Sequence, residues 1–236
     1  MFNNGILMPI IIISGMAYSI LAKKLTIPAA FTGAVLALVI FTAAGFPGLA
    51  MMTVFFILGA AATSWQKSKK LGFAIGEEER KGRNTRQVLA NAGAAACAGV
   101  VVIGYPGLDD LMLPAMASAF ASVTADTLSS ELGMVYGRRF FNVITFRPER
   151  CGMDGVVSVE GTVIGIAGSC VIAGIYALGW GWDINFLFIV IAGTIGNLTD
   201  SVLGAVLERK RVIGNDVVNF LSSLAAVVIM LLLVWS

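Results

Sequence analysis

Eight apolar runs divide this chain, and all 16 of its Lys and Arg residues fall in every second gap between them. The runs cover residues 6–22, 27–45, 48–64, 87–104, 111–137, 156–179, 184–203 and 217–235. Each is long enough, at ~1.5 Å of rise per helical residue, to cross ~30 Å of hydrocarbon. The odd-numbered connections hold Lys23 and Lys24, the basic residues of 67–86, those of 138–150, and those of 209–211. The even-numbered connections and both ends of the sequence carry no basic residue. Positively charged loops stay on the cytoplasmic side, so the expected architecture is an all-α polytopic membrane protein of about eight spans with both termini outside.

Composition agrees. A mean hydropathy of +0.88, with 58% hydrophobic and 13% charged residues, describes a membrane bundle and not a water-soluble core. The chain reads as one transmembrane helical domain over 1–236: scaffold spans in 1–64, a charged cytoplasmic loop in 65–86, and site-bearing spans in 87–236. The first run lacks a basic leader and a small-residue cleavage site, so it is expected to remain as a helix. Cys97, Cys151 and Cys170 show no metal spacing and read as packing residues. There is no His, which removes imidazole acid–base chemistry and Ser–His nucleophiles. The basic residues are expected to set topology and touch anionic lipid, with no nucleic-acid partner. The 65–86 loop reads as a solvated charged connection or as a basic lid over an anionic substrate.

Chemistry is confined to the later spans. Asp126, Glu131 and Asp200 lie within apolar runs, where each ionisable group costs at least ~2.5–3.5 kcal/mol, so all three are candidates for function. Counted from the cytoplasmic end of its helix, Asp126 is ~16 Å deep and Glu131 ~9 Å. Asn91, Asn197, Asn215 and Asn219 fall in the same layer, which predicts a polar cavity in the cytoplasmic half. Asp126 shares a helical face with Ser122, Ser129 and Ser130, at offsets of three and four. Glu131 lies about 140° away around a regular helix, so the helix would have to break near Gly133 for both carboxylates to meet one ion. The segment Gly152–Ser158, following Arg147 and Arg150, combines Gly152, Asp154, Gly155 and Ser158 ahead of a helix. Such a turn suits a phosphate. No G-x-x-x-x-G-K-[ST] occurs, which excludes P-loop chemistry. The run ending in Thr199, Asp200 and Ser201 echoes Ala125, Asp126 and Thr127, an echo that reads as a second half-site facing the first.

Four segments taken together resemble one family. They are RQVLAN at 86–91, ADTLSSELG at 125–133, GMDGVVSVEGTVIG at 152–165 with GTIGNLTDSVLGAVLE at 193–208, and GNDVVNFLSS at 214–223. Their order resembles the phytyl-phosphate kinase family, an integral-membrane group that also includes transmembrane protein 19 and was formerly a domain of unknown function. Glu160 departs from the pattern, where an apolar residue is expected, and is not carried over. The resemblance implies transfer of a phosphoryl group from a nucleoside triphosphate, CTP in the plant and cyanobacterial members, to a prenyl monophosphate. It implies Mg²⁺ as cofactor, held with substrate phosphates by the hard oxygens of Asp126, Glu131 and Asp200. Asn91, Ser129, Ser130, Arg147, Arg150, Gly152, Asp154, Gly155, Ser158, Asn197, Ser201, Asn215 and Asn219 are the expected substrate contacts. The partners would be the bilayer, a prenyl monophosphate and a nucleotide, and the setting a bacterial or archaeal cytoplasmic membrane with the site facing the cytoplasm. Two other readings stay open: an ion-coupled transporter using the intramembrane carboxylates, and a kinase of the free prenyl alcohol with Asp126 as base. A CDP-alcohol phosphotransferase is disfavoured because its D-x-x-x-D repeats are missing.

Overall fold

The computed structural model describes residues 4–70 and 82–235. The acidic and basic stretch Glu77–Lys81, on which the lid reading depends, lies outside the described residues. The elements are α1 (Asn4–Leu21), α2 (Ile27–Ser64), α3 (Lys67–Lys70), α4 (Thr85–Gly104), α5 (Asp109–Tyr136), β1 (Phe140–Asn142), β2 (Val156–Ser158), α6 (Val159–Trp180), α7 (Ile184–Leu203) and α8 (Asn215–Trp235). A π-helical turn, Gly204–Glu208, extends α7. Six of the helices are long and apolar enough to cross a membrane, and α1 adds a shorter apolar run, Ile6–Leu21.

The 38 residues of α2 would reach ~57 Å as a straight helix, almost twice the hydrocarbon thickness. They do not run straight. Gly45 takes φ 59° and ψ −149°, a conformation open to glycine, and the two arms fold back on each other. A Cβ on Gly48 would stand 3.1 Å from Ile40 Cγ2, although eight residues of straight helix separate atoms by ~12 Å. At the far ends of the arms, Lys24 Nζ donates to Ser64 Oγ at 2.6 Å. The second and third apolar runs are therefore the arms of one hairpin, and each of the eight runs lies mainly on helix.

The odd-numbered connections gather at one end of this bundle. Leu25 forms a parallel bridge with Arg83, Trp65 Nε1 donates to Tyr136 Oη at 2.9 Å, and Lys69 Nζ donates to the Val135 carbonyl at 2.6 Å. At the opposite end Gly179 packs on Pro47. One sequence expectation needs correction here. Residues 156–158, read as the start of the sixth span, form β2 instead and pair antiparallel with β1, Phe140 opposite Ser158. Helix α6 begins only where the Ser158 Oγ accepts the Gly161 N–H at 3.1 Å, a side-chain cap that satisfies an otherwise orphan donor.

At the centre stands α5, packed against α2, α4, α6, α7 and α8. Its buried face is rich in Ala, Ser and Thr, including Ala121, Ser122 and Thr124, with Met116 and Phe120 packed among them. Many large apolar side chains of the surrounding helices point outward: Val163, Ile184, Leu187 and Leu232 are exposed, facing where lipid tails would lie. Lipid is as apolar as Leu, so burial of Leu drives little, and close backbone approach between small residues holds such helices together. Glycines of α6 and α7 supply that approach. A Cβ on Gly168 would stand 2.8 Å from Leu128 Cδ1, one on Gly193 2.6 Å from Ala121 Cβ, and one on Gly196 would run into Ser122 Oγ.

Gly196→Val should therefore destabilise the folded protein by at least about 2 kcal/mol. Gly174→Leu, which adds bulk where no atom lies within 4 Å, should leave the melting temperature in detergent near that of the parent. Topology has its own test, in a background lacking the three native cysteines. Asp183→Cys should react with an impermeant thiol reagent only from outside the cell and Lys23→Cys only from inside. Reaction of both from one side would reject the eight-span arrangement.

Candidate functional site

Asp126 of α5 and Asp200 of α7 come together in the bundle, their carboxyls within hydrogen-bond reach of each other. Ser222 Oγ of α8 donates to Asp200 Oδ2 at 3.0 Å, and Ser129 Oγ of α5 donates to Asn197 Oδ1 of α7 at 3.1 Å. These bonds tie three helices around the pair. Both carboxyls open onto a cavity of about 220 Å³ that Ser129, Ser130, Asn197 and Ser201 also line.

The far wall is the turn between β1 and β2. Gly152 and Gly155 have φ of 84° and 73°, which a residue with a Cβ adopts only at a cost. Gly155 also lies so close to the π turn that a Cβ would meet Ala205. This close seat brings Asp154, with Gly152, Gly155 and Ser158, into the cavity wall opposite Asp200. The glycines of the expected phosphate cradle thus serve to dock a turn. Arg209 secures it from behind: Nη1 donates to Glu149 Oε1 at 2.8 Å and Nη2 to the Asp154 carbonyl at 2.5 Å. Hydrogen bonds from Arg209, then Asn142, hold the Glu149 carboxyl below its ordinary pKa. Arg147 and Arg150, the cations expected to hold phosphate, are exposed and line neither this cavity nor its neighbour.

One acid was missed. Glu208 also lines the cavity and acts electrostatically on Asp126. Eight residues after Asp200, it would stand 80° away on an α-helix. The π turn closes with i→i+5 bonds, so one α turn of 3.6 residues and one π turn of roughly 4.4 bring it back beneath Asp200. The only signal was its presence in the 193–208 segment; the helical wheel pointed elsewhere.

A second cavity adjoins the first and shares Asp126, Ser130 and Asn215 with it. Its charge is opposite in character, for Lys23, Lys24, Lys67 and Arg83 line it. Asn91, Asn219 and Glu131 lie here too. Glu131 does not reach the Asp126–Asp200 pair because α5 runs unbroken through Gly133 to Tyr136, leaving the two acids on different faces. The expected break is absent because Gly133 serves packing: a Cβ there would stand 3.2 Å from Gly161 Cα. Glu131 pairs instead with Lys70, whose Nζ also donates to the carbonyls of Ala62 and Thr63 at 2.8 and 2.9 Å. Lys70 is 1% exposed, and these three acceptors use all three of its protons. Glu160, set aside in the sequence, accepts a bond from the Arg138 N–H at 3.4 Å.

Among the described residues no three His, Cys, Asp or Glu side chains converge into a self-sufficient metal cage. The donor set suits a different arrangement. Mg²⁺ commonly takes one or two protein carboxylates and completes its shell with water and substrate phosphates. Asp126 and Asp200, hard oxygen donors side by side on a polar cavity, fit that mode.

The model of the integral membrane protein family DUF92 matches residues 10–227. This chain belongs to that family. It is the family that the four sequence segments resemble, and the match runs through the hairpin as well as the site-bearing helices. The chain is 30% identical over 196 residues to the chloroplast protein VTE6 of Arabidopsis thaliana, covering 80% of this chain and 59% of that protein. It is 31% identical over 208 residues to a membrane protein of Synechocystis, covering 85% and 80%, and 32% identical over 187 residues to one of Methanocaldococcus jannaschii, covering 78% and 75%. The chain thus spans less than two thirds of the plant VTE6 protein's length. No solved structure matches it.

The Lys70–Glu131 pair makes a testable demand on stability. Glu131→Gln leaves a buried ammonium without its counter-charge and should cost about 3 kcal/mol. Lys70→Met combined with Glu131→Leu removes both charges and should recover most of that loss, read as thermal unfolding in detergent. If Glu131→Gln unfolds at the parent temperature, the ion pair is not what holds α3 against α5.

Proposed function

We propose that this protein is a membrane kinase that transfers the terminal phosphoryl group of a nucleoside triphosphate to a prenyl monophosphate, giving the diphosphate. The observation that carries the reading is the pairing of two cavities of opposite character across Asp126. One is acidic, with Asp126, Asp154, Asp200 and Glu208; the other is basic, with Lys23, Lys24, Lys67 and Arg83. Phosphoryl transfer asks a protein chiefly to position two phosphate groups and to neutralise their charge. Acidic residues suit a nucleotide that arrives with its metal. Basic residues suit an acceptor that arrives as a bare anion. The resemblance of the ADTLSSELG and DSVLGA segments implies the same reaction, with CTP as donor.

In this reading Asp126 and Asp200 hold Mg²⁺, which when bound neutralises charge on the transferring phosphoryl group. The cations of the second cavity draw the acceptor phosphate toward the shared wall at Asp126 and Ser130. An oxygen of that phosphate forms the new P–O bond as the β–γ bridging bond of the nucleotide breaks, and the nucleoside diphosphate leaves with the released electron pair. Because the acceptor is already ionised, no residue need remove a proton. A bundle without His can therefore perform the step. The one-sided Lys and Arg distribution supports a cytoplasmic side for the cavities, where nucleotides are found.

The test is turnover by purified protein with Mg²⁺, a panel of nucleoside triphosphates, and either phytyl or geranylgeranyl monophosphate or the corresponding free alcohols. Diphosphate should form from the monophosphates alone. Asp126→Asn and Asp200→Asn should each lower kcat at least a hundredfold, about 2.7 kcal/mol of barrier, with unchanged folded yield. Diphosphate formation by either variant at the parent rate would remove that carboxylate from the reaction. Phosphorylation of the alcohol would replace the acceptor assignment.

A further inference from the structure

The first three spans carry no ionisable group, and the sequence reads them as scaffold. The structure places an apolar groove between them. It runs between α1, both arms of α2 and α4, and each span turns a regular face toward it: Gly15 and Met16 from α1, Gly33 and Ala37 from the first arm, Met52 and Phe56 from the second. On each, the groove-lining residues recur over about two helical turns, ~10 Å of axis. Gly15 and Gly33 have no atom within 4 Å of where a Cβ would stand, so here, unlike around α5, glycine is not filled by a neighbouring helix.

The groove does not end blind. Phe56, Arg83, Gln87 and Asn91 line both it and the basic cavity. Arg83 is fixed at this junction by its backbone, whose N–H donates to the Lys24 carbonyl at 2.8 Å and whose carbonyl accepts from Thr26 N–H at 3.1 Å. Its guanidinium lies against Gly59 and 5.8 Å from the Phe55 ring centroid, a cation–π distance. An apolar channel opening at a guanidinium onto a cationic cavity matches an amphiphile with one long apolar chain and a small anionic head.

Resting on the kinase reading above, we infer that this groove holds the hydrocarbon chain of the acceptor lipid, with Arg83 at its mouth against the phosphate. The acceptor then approaches past α1 and α2, not beneath the loop that carries Arg147 and Arg150. The α1–α2 region is a specificity element, because its free width and depth act on the chain while the carboxylates act on the phosphates. Each isoprene unit seated in the groove leaves water or detergent for an apolar wall, so affinity should rise with chain length and be lost when the groove is filled.

The experiment compares geranylgeranyl with dimethylallyl monophosphate by two readouts: thermal stabilisation of the protein in detergent, which needs no turnover, and KM in the kinase assay. Gly33→Leu and, separately, Gly15→Leu should fold as well as Gly174→Leu, which adds the same bulk away from the groove. Each should weaken geranylgeranyl monophosphate about tenfold, the equivalent of roughly two buried methylenes, while dimethylallyl monophosphate and the nucleotide are unaffected. Arg83→Gln should weaken both lipid phosphates alike. Retention of the parent's chain-length preference in both groove variants overturns the proposal, as does failure of geranylgeranyl monophosphate to stabilise the parent. Stabilisation that depends on Gly33 but gives no diphosphate would leave the groove standing and overturn the kinase reading instead.

Discussion

Everything in this bundle follows from keeping α5 out of lipid. Its inner half carries Asp126 and a series of hydroxyls, groups that hydrocarbon cannot solvate. The other long spans surround it and expose their own apolar surfaces. Hydrophobic burial alone would not sort the helices this way, because each finds lipid as hospitable as protein. What selects the arrangement is the satisfaction of polar groups together with close packing. Thr124 Oγ1 donates to the Phe120 carbonyl, Ser169 Oγ of α6 to the Ala121 carbonyl of α5, and the glycines of α6 and α7 let the backbones approach closely enough for such bonds. The cavity at Asp126 is where this satisfaction stops, so polar capacity remains for a ligand.

Much of the fold was legible because membrane topology is written in large units. Runs of about twenty apolar residues and a one-sided distribution of Lys and Arg survive any error of a few residues at a boundary. Even the hairpin of α2 was foreshadowed by Gly45, Phe46 and Pro47, which interrupt an apolar stretch too long for one crossing. Connections were harder. The β1–β2 ribbon took Val156, Val157 and Ser158 away from the sixth span, since a β-branched run beside a helix has no periodicity of its own to mark the boundary.

The candidate site was legible where it depends on residue type and hidden where it depends on phase. Asp126 and Asp200 stood out as acids in apolar runs, and they do meet. Glu131 stood out equally and does not join them, because a regular helix keeps it on another face. Glu208 escaped notice because the extra residue in a π turn shifts the helical phase, and no composition signal announces such a turn. Arg147 and Arg150 lie close to the Gly152–Gly155 turn in sequence but line neither cavity. Arg209, sixty residues beyond Glu149, makes the contact that fixes the turn.

Lys70 and Glu131 show how a pair of charges can be buried beside a polar cavity with the ammonium's partners complete. The ammonium is enclosed by two carbonyls and one carboxylate, so its protons are fully engaged, and the carboxylate in turn is held at the edge of the basic cavity. Removing one partner strands the other at low dielectric, while removing both together asks for little beyond filling the space. The pair thereby anchors α3, and with it Lys67, against the same helix that carries Asp126. Its geometric consequence is that the first half of the chain, which contributes the basic cavity and its apolar annex, is fastened to the second half, which contributes the acids. Two cavities built largely by different parts of the sequence meet at Asp126, Ser130 and Asn215, and Asp126 is the ionisable residue that lines both.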